Sequence, residues 1–124
     1  MKPELRNIAS ADIDDLRTYV PANPEEVFAQ VTAEIGVEGE AGADLFYFLL
    51  RTPEAIRWEL ADRQQDYLFG RGYIVMRDYS YAALQRAVEY IVSQCEGSDW
   101  QDVATKLSRY GLWEFEDYHG RKTR

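Results

Sequence analysis

The residues able to do chemistry are dispersed along the chain. Asp12, Asp14 and Asp15 offer carboxylate ligands within four positions. As a calcium loop starting at Asp12, however, they would put Leu16 at the fifth position, Arg17 at the glycine and Asn23 at the final glutamate. They read as a solvated turn. Gly70-Arg71-Gly72 begins like a dinucleotide fingerprint, but Val75 stands where the third glycine belongs and a strand-like run follows where a helix must start. Neither Gly-x-Ser-x-Gly nor a phosphate loop occurs. With one cysteine, Cys95, and one histidine, His119, the chain has no disulfide pair and no Cys or His set for zinc. Its 22 carboxylates are so many that no pair of them singles out glycoside chemistry. The expectation is a protein that is not an enzyme and uses no cofactor or metal.

What remains is a pattern suited to recognition. From Trp113 to Tyr118 aromatic and acidic residues interleave, with Glu114, Glu116 and Asp117 among the rings. A second acidic group, Glu38, Glu40 and Asp44, surrounds Gly39 and Gly42. Aromatic area flanked by carboxylates suits a protein interface. The alternative is a solvated strand edge and loop.

The formal charge is -8, and it is uneven. Arg121, Lys122 and Arg124 fall in the last four residues, so the first 120 carry 22 acidic groups against 11 basic ones. Such a field repels nucleic acid and anionic membrane and favours a cationic protein, although acidity also serves solubility alone. The N-terminus has no apolar signal core, and the longest strongly apolar run, residues 45–50, is too short to cross a bilayer. A cytoplasmic location follows as an expectation. The length and the 46% hydrophobic content fit one domain over 1–124, with 119–124 as a mobile basic tail.

The positioning elements read as α+β: a small antiparallel sheet packed on one side by two or three helices. Residues 4–10 form a weak strand candidate. Asn23-Pro24-Glu25-Glu26 looks like a helix start, but Val27, Ala29, Val31, Ala33 and Ile35 alternate at the strand period. Asp44–Arg51 is apolar on both phases and pairs with that strand across a Gly/Glu-rich loop as a hairpin. Thr52-Pro53 starts a short helix with Ile56 and Leu60 on one face, and Trp58 pointing elsewhere over a sheet edge. Residues 73–79 form an aromatic strand.

Ser80 caps a helix whose stripe is Tyr81, Leu84, Val88, Ile91, Val92 and Cys95, the thiol being a small buried hydrophobe. Ser98 and Gln101 set a capping box for a last helix with Trp100, Val103, Ala104, Leu107 and Tyr110 on its apolar face. Gly111 follows as a left-handed cap.

Thr52-Pro53 after an apolar strand, Leu68-Phe69-Gly70-Arg71, the aromatic strand at 73–79, Trp100, and Gly111-Leu-Trp113-Glu114-Phe115 occur in an order that resembles the bacterial immunity protein 8 family. The resemblance implies a non-enzymatic, stoichiometric inhibitor from a polymorphic toxin or contact-dependent inhibition system. Its partner would be a cognate toxin domain encoded nearby, and many such toxins are nucleases. On that basis Glu114, Glu116, Asp117 and Tyr118, with Glu38, Glu40 and Asp44, are the expected toxin-binding residues. The free protein is expected to be a monomer or weak dimer. An acidic adaptor and a nucleic-acid-mimicking regulator are the competing readings.

Overall fold

The computed structural model describes residues 1–116. Its strands are β1 (Pro3–Ala9), β2 (Phe28–Val37), β3 (Asp44–Arg51), β4 (Tyr73–Val75) and β5 (Leu112–Trp113). The helices are α1 (Pro53–Asp62), α2 (Tyr81–Ser93) and α3 (Trp100–Leu107). The α+β reading holds, with one difference in the sheet. β1, β2 and β3 form an antiparallel meander and β5 joins β3 antiparallel, but β4 runs parallel to β3. The segment from β3 to β4 passes through α1, which supplies the crossover that a parallel neighbour requires.

The helix-like start at Asn23 becomes a turn. Asn23 Oδ1 accepts from Glu25 N at 3.0 Å and its carbonyl from Glu26 N at 3.0 Å. Val27 is then held by Thr52, whose hydroxyl accepts from Val27 N at 3.0 Å while Thr52 N donates to Val27 O at 3.1 Å. The hydrophobic alternation of β2 can be satisfied only in a strand, and this tertiary pairing outweighs the local capping signal. Thr52 consequently precedes α1 without capping it through its side chain.

One sheet face is the core. Val31, Ala33 and Ile35 of β2 and Phe46, Phe48 and Leu50 of β3 are buried beneath Leu84, Val88 and Ile91 of α2 and Val103, Ala104 and Leu107 of α3. Cys95 is buried there too, and burial pushes its thiol up. The opposite face alternates in register, with Phe28, Gln30, Thr32 and Glu34 facing Arg51, Leu49, Tyr47 and Leu45. Its central residues are half-buried and mixed in polarity. At one end of this face lies α1.

That helix buries Ala55 and Glu59, not the Ile56–Leu60 pair expected from its sequence. Glu59 accepts from Arg51 Nε at 3.1 Å, pairs with Arg63 at 3.1 Å and accepts from the Tyr73 hydroxyl at 3.2 Å. This buried charge network sets the rotation of α1, since stranding Arg51 in the interior would cost more than half-exposing two aliphatic side chains. Burial first, then the nearby Glu59 carboxylate, pushes the Tyr73 phenol up.

Three element ends, one of β4 and both of α3, differ from expectation. β4 stops at Val75, where Met76 N donates to Arg51 O at 2.9 Å and a bend leads to Tyr79. α3 is capped by Asp99, which accepts from Asp102 N at 2.8 Å, instead of by Ser98. Asp102 reaches back to Ser98 N at 2.9 Å, taking the part given to Gln101, and this backbone hydrogen bond holds its carboxyl below the ordinary range. Gly111 is absent from the left-handed residues; a Cβ on it would lie 2.7 Å from two ring carbons of Phe48. Its role is close approach of chain to ring.

Gly111→Ala should therefore force the buried Phe48 ring to move and cost about 1–3 kcal/mol. The check is a urea unfolding series, in which the midpoint should fall with the slope unchanged.

Candidate partner-binding surface

Of the expected acidic residues, Glu38, Glu40, Asp44 and Glu114 lie at the same end of the sheet. Ile35 pairs with Asp44 at the mouth of the β2–β3 hairpin, and Glu38 and Glu40 occupy its exposed turn. Gly39 and Gly42 take φ values of 83° and 90° there, which a side chain would resist. β5 joins the adjoining end of β3, with Phe46 opposite Trp113 and Tyr47 opposite Leu112. Glu114 N then donates to Leu45 O at 3.0 Å, so Glu114 sits one residue along β3 from Asp44. A cleft of about 270 Å³ lies beside the hairpin, lined by Val37, Glu40, Gly42, Asp44 and Trp100 among others.

Within this end the acids have different tasks. Asp44 Oδ2 accepts from Trp100 Nε1 at 2.8 Å and from Trp113 Nε1 at 2.9 Å, joining α3 to β5 through one oxygen. Both indoles pack on Phe46, Trp113 stacked and Trp100 edge-on. The Glu114 carboxylate accepts from Leu45 N, so the residue grips β3 with both backbone and side chain. Glu116 and Arg71 form a two-point ion pair, and Arg71 also donates to the Ser108 carbonyl at 3.1 and 3.2 Å. The Arg71 hydrogen bond, then its charge, holds the Glu116 carboxyl below the ordinary 4.5.

Asp44, Glu114 and Glu116 thus shape the surface that Glu38 and Glu40 present more openly. Asp117, Tyr118, His119 and the basic segment 119–124 lie outside the described residues. Trp113, the last residue of β5, meets Phe115 edge-on, and residues 114–116 form a turn. Arg6, at the irregularity in β1, donates to the carbonyls of Val37 at 2.8 Å and Glu40 at 2.6 Å and buttresses the hairpin turn.

The acidic turn at Asp12 is likewise occupied by its own chain. Asp12 Oδ2 accepts from Gln30 N at 2.8 Å, and Asp15 Oδ1 from Arg17 N at 2.9 Å. Among the described residues no group of three or more His, Cys, Asp and Glu could hold a metal ion. No helix of the described residues is long and apolar enough to cross a membrane.

A surface feature not anticipated lies at the far end of the open face. Phe28 and Trp58 are 47% and 63% exposed and line a groove of about 290 Å³ with Glu26, Glu54 and Ala55. The sequence carried one signal for it. Phe28 lies on the polar phase of its strand and Trp58 lies off the aliphatic stripe of its helix, so each element exposes one aromatic residue.

A family model described as Immunity protein 8 matches residues 3–118. No curated protein and no solved structure matches the chain.

Asp44→Ala should release both indoles, costing about 2–3 kcal/mol for two hydrogen bonds to a partly exposed charge. Tryptophan emission should move to the red and the denaturation midpoint should fall. The lowered carboxyl of Glu116 contributes stability that is fully present above pH 4.5 and is lost as pH falls through its depressed value. Glu116→Gln should therefore flatten the acid limb of a stability-against-pH curve below pH 4.5, leaving the neutral limb parallel.

Proposed function

The chain belongs to the immunity protein 8 family, and from that premise we propose that it neutralises a cognate, cationic, nuclease-type toxin by stoichiometric binding in the cytoplasm. The carrying observation is the family match, which spans residues 3–118 and so takes in the hairpin, the helices and the β5 end. The protein acts as an inhibitor by occupying a surface of the toxin, with no reaction of its own.

Charge supports the choice of partner. Nuclease domains are basic because they hold phosphates, and a chain of net charge -8 attracts them over several ångströms before contact. Fast encounter matters to an inhibitor that must act before damage is done. Glu38 and Glu40 at the exposed turn are the acids best placed to meet toxin lysines and arginines. Asp44, Glu114 and Glu116 contribute charge to that end while fixing its shape, and Asp117 and Tyr118 continue it in sequence. A partner large enough to cover about 800 Å² on this chain would exclude water from such pairs and give them weight.

Co-expression with the toxin domain encoded beside this chain should restore growth, and the purified pair should form a 1:1 complex. The association rate should fall at least tenfold between low and high salt, as steering by opposite charge requires. Failure to restore growth would remove the immunity reading. Protection with a salt-independent rate would remove only the electrostatic part.

A further inference from the structure

We propose that the Phe28–Trp58 groove is a docking pocket for a lysine or arginine side chain of the toxin domain. This rests on the immunity reading and adds where, and with what chemistry, the partner is anchored.

The groove pairs two aromatic walls with acidic residues. Ala55, Phe28 and Trp58 provide apolar lining, and the acidic residues Glu26 and Glu54 line the same hollow. An aliphatic stem ending in a cation satisfies both parts at once. Its methylenes would cover ring carbon, its charge would meet the exposed Trp58 indole, and its N–H groups would reach carboxylate oxygen. A purely apolar side chain would desolvate the two acids without compensation, and an acidic one would be repelled. Glu25 adjoins this set in sequence, and Arg57 reaches Glu54 at 3.8 Å. Arg57 and Glu54 are both exposed, and a pair of that kind is worth so little that an incoming cation can take Arg57's place.

The walls are also held before any partner arrives. Arg51 stacks its guanidinium 3.4 Å from the centroid of Phe28, its partner in the β2–β3 register. Arg51 is itself buried against Glu59, the residue following Trp58. The Arg51–Glu59 ion pair therefore ties the helix bearing Trp58 to the β3 residue that stacks on Phe28 of β2. A rigid aromatic site loses little entropy on binding, and tryptophan and arginine dominate the binding energy of protein interfaces.

Two measurements test this. In the first, acetyl-Gly-Arg-Gly-amide and its uncharged citrulline counterpart are titrated against the full chain while the Trp58 indole N–H resonance is followed. The arginine peptide should shift that resonance saturably and the citrulline peptide should not; equal effects of the two, or none, overturn the proposal. In the second, affinity for a catalytically silent form of the toxin domain encoded beside the chain is measured for variants of unchanged thermal midpoint. Trp58→Ala should weaken binding at least about 30-fold, with Trp58→Phe recovering much of the loss.

The double variant Glu26→Gln, Glu54→Gln should lose about tenfold, and Glu89→Gln on the exposed face of α2 should lose nothing. Binding by Trp58→Ala within twofold of the unchanged chain overturns the proposal. So does a loss in Trp58→Ala with none in the glutamine pair, which would mean an apolar anchor. If the unchanged chain fails to bind the toxin domain at all, the immunity reading falls, and the peptide comparison still decides the groove.

Discussion

The structure depends on how the backbone of β3 is satisfied along both edges. One edge pairs with β2 over the whole strand, from Asp44 opposite Ile35 to Arg51 opposite Phe28. The other is shared by two short strands from distant parts of the chain, β5 at Phe46 and Tyr47 and β4 from Leu49 to Arg51. Buried backbone donors and acceptors must be paired, so α1, α2 and α3 have to return the chain to this line twice. Where pairing runs out, carboxylates take over. Glu114 accepts from Leu45 N on this side, and Asp12 accepts from Gln30 N on the outer side of β2 beyond the end of β1. Each works as a one-residue extension of a strand.

That economy changes the meaning of the acidic composition. Asp12, Asp44, Glu59, Asp99, Asp102, Glu114 and Glu116 all bind groups of their own chain. They still contribute to the long-range field, which depends on charge and little on hydrogen bonding. The acids with open surroundings, those on the hairpin turn and those lining the aromatic groove, are the ones the proposed recognition uses. A negative field that steers and a few exposed groups that dock are separate physical roles, and in the proposed mode of binding they rest on largely different residues.

The open sheet face joins the two regions. From Phe28 to Val37, β2 covers about 30 Å at the usual rise per residue. A single inhibitor-sized interface spans such a distance, so in the proposed complex one toxin domain would reach the hairpin turn and the groove together. The core face has no comparable freedom, since α2 and α3 cover it with apolar contacts. Binding on the open side, as proposed, would leave the core packing undisturbed.

Much was legible in the chain itself. Alternation at 27–35, the apolar run of β3, Ser80 before an amphipathic stripe and the buried place of Cys95 follow from periodicity and capping, because those signals are local and the core rewards them. The order of motifs was enough to suggest the family. Other features were decided by contacts distant in sequence. Gly111 is glycine because of Phe48, Thr52 serves Val27 more than its own helix, and the rotation of α1 follows from Arg51 finding Glu59. The sequence by itself determined that this protein is acidic, α+β and limited to one cysteine and one histidine, since composition and period are properties of the chain alone. Only the tertiary structure decided which carboxylates hold the sheet and which face outward, because a carboxylate's role depends on whichever donor the fold brings within 3 Å of it.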